Sequence, residues 1–125
     1  MILGTGIDII EVARIRSSME RFGDRFLQRI LCPEEIAYCF TFKSPPPRVA
    51  ARFAAKEAIS KAFGTGIGRH LAWHDMEIRH EESGKPFVLL HGAAVQLISD
   101  RGGKLVHVSL SHTDNYAAAI AVLES

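Results

Sequence analysis

One segment decides how this chain folds: residues 48–64, with the sequence RVAARFAAKEAISKAFG. Its alanines, lysines, arginines and glutamate favour a helix, and the final glycine is typical of the residue that follows a helix. The segment therefore predicts a helix over residues 48–63. On a helical wheel one half is small and apolar, and its alanines predict close packing against another element. The other half carries the polar side chains Arg52, Lys56, Glu57, Ser60 and Lys61.

A strand and a further helix are predicted before this segment. Residues 2–10 are β-rich, and Gly4 and Gly6 would let another backbone approach the strand closely. From Glu11 the apolar residues recur at spacings of three and four, which predicts an amphipathic helix that Gly23 bends or splits. The apolar positions of that helix are Val12, Ile15, Met19, Phe22, Phe26 and Ile30.

The remaining elements complete a mixed fold. A short helix is predicted from residue 33 to about residue 40, and the sequence SPPP at residues 44–47 predicts a stiff extended connector. Further along, the predicted strands are residues 76–80, 87–90, 105–111 and 116–123, and the predicted helix is residues 91–100. These elements predict an α+β fold: a single domain over residues 1–125, with a mainly antiparallel sheet and helices packed on it.

Composition and length limit the class of protein. The chain has 125 residues, which fits one domain, and its 47% hydrophobic and 23% charged residues are typical of folded proteins. A net charge of +1 argues against a nucleic-acid partner. No apolar run is long enough to span a membrane, and the N-terminus lacks the basic start of a signal peptide. Cys32 and Cys39 suit neither a disulfide framework nor a zinc site, so we expect a cytoplasmic protein with reduced thiols.

Asp8 is an acidic residue inside the apolar first strand. Its neighbours are Ile7 and Ile9, and an ionised carboxylate in such surroundings is costly unless it is paired or bound to a metal. A structural aspartate held by backbone N–H groups or by an arginine fits the pattern equally well. Asp8 therefore indicates a function only in combination with a second carboxylate.

Glu57 offers that second carboxylate. It shares the polar half of its helix with three cations, so it fits two interpretations: a solvated face stabilised by a Glu57–Lys61 pair, or a Mg²⁺ ligand beside bound phosphates. Mg²⁺ usually takes one or two carboxylates together with phosphate oxygens and water, and the cations would neutralise the phosphates. The glycine-rich loop at residues 64–68 is a weak signal for a nucleotide, because it follows a helix instead of preceding one.

Four blocks of the sequence resemble one family of enzymes. They are GIDIIEV at residues 6–12, RFAAKEAISKA at residues 52–62, GKP at residues 84–86 and SLSHT at residues 109–113. Their order and separation are similar to those of the holo-(acyl-carrier-protein) synthases, the small bacterial branch of the 4′-phosphopantetheinyl transferase superfamily. The resemblance spans essentially the whole chain.

The resemblance implies a reaction and the residues that perform it. The enzyme would transfer 4′-phosphopantetheine from coenzyme A to a serine of apo acyl carrier protein, with Mg²⁺, in fatty acid biosynthesis. Asp8 and Glu57 would bind the metal and act in catalysis with Lys61. The family also implies a homotrimer with active sites between subunits. Its coenzyme A contacts correspond to Arg52, Lys56, Ser60, Lys61 and Gly64 of one subunit, and to Pro86, His112 and Thr113 of the next.

Three arginines near the N-terminus indicate a partner surface. Arg14, Arg21 and Arg25 lie within roughly 40° of one another on a helical wheel, which is also compatible with an ordinary solvated helix face. The resemblance favours docking of the acidic helix of a carrier protein, above all at Arg14. Two other functions remain compatible with the residues alone: another Mg²⁺-dependent nucleotide enzyme, or a non-catalytic interaction module that uses this basic helix.

Overall fold

The computed structural model describes residues 1–125 and contains five strands and five helices. In chain order the elements are β1 (Ile2–Glu11), α1 (Val12–Phe22), α2 (Asp24–Ile30), α3 (Pro33–Cys39), α4 (Pro46–Phe63), a 3₁₀ turn (Trp73–Asp75), β2 (Met76–His80), β3 (Pro86–Leu90), α5 (Ala93–Asp100), β4 (Leu105–His112) and β5 (Tyr116–Glu124). This mixture of helices and antiparallel strands confirms the predicted α+β fold class. None of the helices combines the length and hydrophobicity that crossing a bilayer requires.

The larger sheet has the strand order β1-β5-β4, and neighbouring strands are antiparallel. Ala119 in the central strand lies opposite Asp8 on one side and Leu110 on the other. β2 and β3 form a separate antiparallel pair. α4 packs against all three strands of the larger sheet, so the central helix of the molecule crosses the strand that carries Asp8.

Two glycines bring β1 directly onto the backbone of α4. A Cβ atom on Gly6 would overlap the carbonyl oxygen of Ala58, and one on Gly4 would overlap that of Ala62. Both alanines belong to the main hydrophobic core, which is built on α4 and the inner face of the larger sheet. The close approach expected from these glycines and from the alanines of the helix is therefore confirmed, and it sets the distance between Asp8 and the polar residues of α4.

The outer face of the larger sheet is exposed and strongly apolar. Ile7 and Ile9 of β1 are each 66% exposed, and Ile120 of β5, which pairs with Ile7, is 46% exposed. Tyr116, at the start of β5, is 52% exposed on the same face. Adjacent apolar side chains of this kind are uncommon on a monomer and are typical of interaction surfaces.

Two local expectations need correction or refinement. Gly23, with φ at 58°, splits the first helical segment into α1 and α2, so the single wheel used for Arg14, Arg21 and Arg25 does not apply across it. Residues 44–47 do not form a fully extended connector, because α4 already begins at Pro46. Proline is well tolerated in the first turn of a helix, where no intrahelical N–H bond is lost.

Candidate active site

Asp8, Glu57 and Lys61 come together where β1 crosses α4. The Nζ atom of Lys61 lies 3.3 Å from Oδ1 of Asp8 and donates a hydrogen bond to the carbonyl oxygen of Ile7 at 2.8 Å. Glu57 stands one helical turn before Lys61 on the same face of α4. The Asp8 side chain is 20% exposed and that of Lys61 is 51% exposed, so this group is open to a ligand.

The two carboxylates interact unfavourably with each other. Burial, and then the negative charge of Asp8, raise the pKa of Glu57, while Lys61 opposes this shift. A bound cation would stabilise the ionised form of Glu57 beside the negative charge of Asp8. No third His, Cys, Asp or Glu completes a cluster that would hold a metal by protein groups alone. The donor set therefore fits Mg²⁺, whose remaining ligands are usually water and phosphate oxygens.

Ser60 and Gly64 shape the end of α4. The hydroxyl of Ser60 is buried and donates to the carbonyl oxygen of Glu57 at 2.7 Å. The carbonyl oxygen of Ser60 accepts hydrogen bonds from the N–H groups of Gly64, Thr65 and Gly66. Gly64 adopts φ at 80°, a left-handed conformation that favours glycine and ends the helix. Both residues thus hold the backbone beside Glu57 and Lys61, and a direct contact with coenzyme A stays a prediction for each.

Lys56 does not face a ligand site in this structure. It has no exposed surface, and its Nζ atom donates to Oε1 of Glu35 at 2.7 Å and to the carbonyl oxygens of Ile30 and Trp73 at 2.7 and 3.2 Å. An ammonium group has three donors, and all three are used. In this conformation the charge of Lys56 is used in an internal ion pair with Glu35, and its predicted contact with coenzyme A stays a prediction.

Arg52 belongs to the same internal group but reaches a pocket. Its Nε atom lies 3.6 Å from Oε2 of Glu35, and its Nη2 atom lies 3.3 Å from Nδ1 of His80. Its guanidinium stacks over Tyr38, which in turn stacks on His80. Burial and then the charge of Arg52 lower the pKa of His80. A pocket opens beside these residues and is also lined by Glu34, so the predicted phosphate contact of Arg52 stays a prediction.

The sequence analysis missed Glu35, the buried carboxylate that organises this group. Its side chain is fully buried and accepts hydrogen bonds from the N–H groups of Cys32 and Ile78, in addition to the contacts with Lys56 and Arg52. Glu35 lies near the start of the helix predicted from residue 33, and the sequence analysis gave it no role of its own. A local signal existed, since a glutamate three residues after the residue that precedes a helix commonly bonds back to that residue's N–H. Its partners on α4 and β2 are remote in sequence.

Pro86, His112 and Thr113 lie away from the carboxylate pair of their own chain. Pro86 begins β3 in the smaller sheet. His112 ends β4, two strands away from β1, which corresponds to about 10 Å across the sheet. Burial, followed by the charge of Arg48, lowers the pKa of His112. The hydroxyl oxygen of Thr113 accepts hydrogen bonds from the N–H groups of the next turn. One chain alone therefore does not bring these three residues to the carboxylates.

The three N-terminal arginines are exposed. Arg14 and Arg21 lie on α1, and Arg25 lies on α2 beyond the break at Gly23. None of the six ion pairs in the molecule involves them. Their charges are thus available to an acidic partner, whose identity stays a prediction.

Comparison with known proteins places the chain and its fold in one family. A family model described as the 4′-phosphopantetheinyl transferase superfamily matches residues 4–121, and the chain belongs to this superfamily. It is 53% identical over 124 residues to a holo-(acyl-carrier-protein) synthase of Koribacter versatilis, covering 99% of both chains. The family resemblance seen in the sequence is thereby confirmed.

Solved structures agree with this assignment. The crystal structure of a holo-(acyl-carrier-protein) synthase from Neisseria meningitidis superposes with a TM-score of 0.93 at 36% identity, and the match covers 100% of both chains. A synthase from Helicobacter pylori, crystallised in complex with coenzyme A, superposes with a TM-score of 0.86 at 34% identity, covering 96% of this chain and 99% of that one.

Proposed function

We propose that this chain transfers the 4′-phosphopantetheine group of coenzyme A to a serine of apo acyl carrier protein and releases adenosine 3′,5′-bisphosphate. The observation that carries the proposal is the meeting of Asp8, Glu57 and Lys61 at the crossing of β1 and α4. Two carboxylates and a cation at one exposed point suit a metal-assisted reaction at a phosphate. The match to relatives named for this activity supplies the donor and the acceptor.

Asp8, Glu57 and Lys61 have different roles in the proposed phosphoryl transfer. Asp8 and Glu57 would hold Mg²⁺, which neutralises charge on the pyrophosphate and orients it. The carrier serine forms a bond to the phosphorus of the pantetheine arm, and the bond from that phosphorus to the bisphosphate breaks. Lys61 places its ammonium group where the departing phosphate gains negative charge. The serine proton would pass to Glu57, because a raised pKa makes its carboxylate a stronger base, or to a water molecule.

The active form of the enzyme in this proposal is a homotrimer. The exposed apolar face formed by Ile7, Ile9 and Ile120 is suited to burial against identical chains. The coenzyme A contacts implied for Pro86, His112 and Thr113 lie far from the carboxylate pair of their own chain. Association would supply these residues from a neighbouring subunit. The same proposal places the enzyme in the cytoplasm, where coenzyme A and carrier proteins would meet it.

Mass spectrometry of the carrier tests the function. The purified chain is incubated with coenzyme A, Mg²⁺ and an apo acyl carrier protein, and the intact carrier is weighed. We expect a mass gain of one phosphopantetheine group, and no gain when the carrier serine is replaced by alanine. Chelation of divalent cations should stop the reaction, and added Mg²⁺ should restore it. A carrier that keeps its mass under all these conditions would refute the proposal.

A further inference from the structure

Arg52 is a buried arginine whose guanidinium is held by few hydrogen bonds. Its Nη2 atom donates to the carbonyl oxygen of Ile78 at 3.4 Å and to Nδ1 of His80 at 3.3 Å. Its Nε atom is the one buried side-chain nitrogen or oxygen in the molecule without a hydrogen-bond partner. Glu35 lies 3.6 Å from Nε, which attracts the charge but is too far for a hydrogen bond. The direction of the guanidinium therefore depends on the two bonds of Nη2.

The ring of His80 is itself fixed beside a pocket. It stacks on Tyr38, with ring centres 4.4 Å apart and planes 10° from parallel. The guanidinium of Arg52 also lies over Tyr38, 4.4 Å from its centre. These three side chains line a pocket of about 320 Å³. His80 is thus held where it can direct Arg52 at the edge of this pocket.

The hydrogen bond between Arg52 and His80 exists in only one protonation state of the ring. A guanidinium can only donate, so Nδ1 of His80 must accept, and the neutral ring carries its hydrogen on Nε2. A protonated ring has a hydrogen on both nitrogens and cannot accept. Its positive charge would also stand 3.3 Å from Nη2 of Arg52. Protonation of His80 therefore replaces a hydrogen bond with a repulsion.

No ion pair compensates a proton on His80. The charged side chains that line the same pocket are Glu34 on α3, Arg52 on α4, Arg79 on β2 and Glu81 after β2, and the neighbouring strand β3 places the uncharged Pro86 opposite His80. Neither acid forms an ion pair with His80. Arg79 is paired with Glu77 at 2.6 Å. Burial and the charge of Arg52 lower the pKa of His80, which favours the neutral, accepting ring at neutral pH.

We propose that His80 is a positioning residue for coenzyme A: as a neutral acceptor it directs the guanidinium of Arg52 towards a phosphate of the bound molecule, and protonation of its ring weakens that binding. The inference rests on the proposed function, because it takes coenzyme A as the ligand of Arg52. An arginine binds phosphate through a planar fork, so the orientation of the fork decides its contribution. His80 lies in none of the four sequence blocks of the family resemblance.

Steady-state transfer kinetics at neutral pH with two matched variants test this role. Asparagine and leucine have similar size and shape, but only asparagine places an acceptor oxygen where Nδ1 of His80 lies. His80→Leu should raise the KM for coenzyme A about tenfold, as for loss of a hydrogen bond to a charged group, with kcat and the KM for the carrier unchanged. His80→Asn should keep the KM for coenzyme A near the wild-type value. Equal values in the two variants would refute the positioning role.

The pH dependence of kcat/KM for coenzyme A tests the protonation of His80. Between about pH 7.5 and pH 5.5 the ratio should fall more steeply for the wild type than for His80→Asn, whose acceptor does not titrate. The phosphates of coenzyme A titrate with both proteins, so the difference between the profiles reports His80. His74→Asn removes an exposed histidine that contacts the carbonyl oxygen of Gln28, and it should keep the wild-type profile. Identical profiles for wild type and His80→Asn would overturn the proposal, and so would tighter binding by the wild type at low pH.

Circular dichroism and the Tm of each variant establish that it is folded under the assay conditions. The comparison of pH profiles requires only the wild type and His80→Asn, so the proposal can still be refuted if His80→Leu does not fold. If the wild type transfers phosphopantetheine but the KM for coenzyme A does not respond to His80, the positioning role is refuted while the function stands. If the wild type transfers nothing, the proposed function fails and the inference fails with it.

Discussion

Replacing Lys56 by methionine separates a structural role from a substrate-binding role. The ammonium group of Lys56 is fully buried and joins Glu35 to the carbonyl oxygens of Ile30 and Trp73. Methionine fills a similar volume but removes one of the two cations that neutralise the buried carboxylate of Glu35. Removing one partner of a buried ion pair costs about 3–5 kcal/mol.

That free energy is a large part of the stability of a small domain. With an unfolding entropy of about 2.1 cal/mol/K per residue, a chain of 125 residues would lose about 10–20 °C in Tm. The assay is thermal unfolding followed by circular dichroism, at one protein concentration for all variants, because association also shifts Tm. Transfer kinetics at a temperature where the variant is folded give its KM for coenzyme A.

Lys61→Met is the matched control for Lys56→Met. The Lys61 side chain is 51% exposed, and an exposed ion pair contributes less than about 1 kcal/mol, so its Tm should change little. Its transfer activity should be lost. Lys56→Met should show the reverse: a large fall in Tm and an unchanged KM for coenzyme A. A Lys56→Met protein as stable as the wild type but with a raised KM for coenzyme A would refute the structural role.

Three further predictions concern stability and assembly. The lowered pKa values of His80 and His112 mean that the folded protein holds both rings neutral, so the unfolded chain takes up protons first as the pH falls below about 6.5. Tm should therefore fall from pH 7 to pH 5.5, and His80→Gln should weaken that dependence; an unchanged slope would contradict the assignment to His80. Gly6→Ala should strongly lower Tm and transfer activity, because its methyl group would meet the backbone of Ala58; wild-type Tm would contradict the close approach. Asp8→Asn and His112→Ala should each be inactive alone. Mixing the two variants under conditions of subunit exchange should restore some activity, because the active sites are proposed to lie between subunits. No restored activity would indicate that each chain holds a whole active site by itself.

Local sequence features predicted the scaffold of the site. The alanines of α4 and the two glycines of β1 predicted a close crossing, because small residues are required wherever two backbones approach. Asp8 and Glu57 were each ambiguous, yet the crossing brings both to Lys61. These side chains come together because Asp8 points from β1 towards α4, and Glu57 and Lys61 lie on the face of α4 beside that strand.

Other features depended on contacts between remote segments. A helical wheel treats polar side chains as solvated, but α4 is buried on both sides, and Lys56 and Arg52 face Glu35 instead of water. No local sequence pattern predicts the ion pair between Lys56 and Glu35, which are separated by 21 residues. For Phe22 the error was the reverse: the sequence pattern predicted a buried side chain, but the side chain is exposed. Its spacing fits the apolar period of α1, yet the helix ends at this residue.

Single-turnover transfer as a function of Mg²⁺ concentration tests the carboxylate site most directly. Wild type, Asp8→Asn and Glu57→Gln are each mixed with coenzyme A and apo carrier, and the modified fraction of the carrier is followed by mass spectrometry. The account predicts a Mg²⁺-dependent rate for the wild type, and a loss of about a hundredfold or more for both variants that Mg²⁺ does not overcome, as for other groups that stabilise charge in a transition state. Wild-type rates for either variant at saturating Mg²⁺ would contradict it.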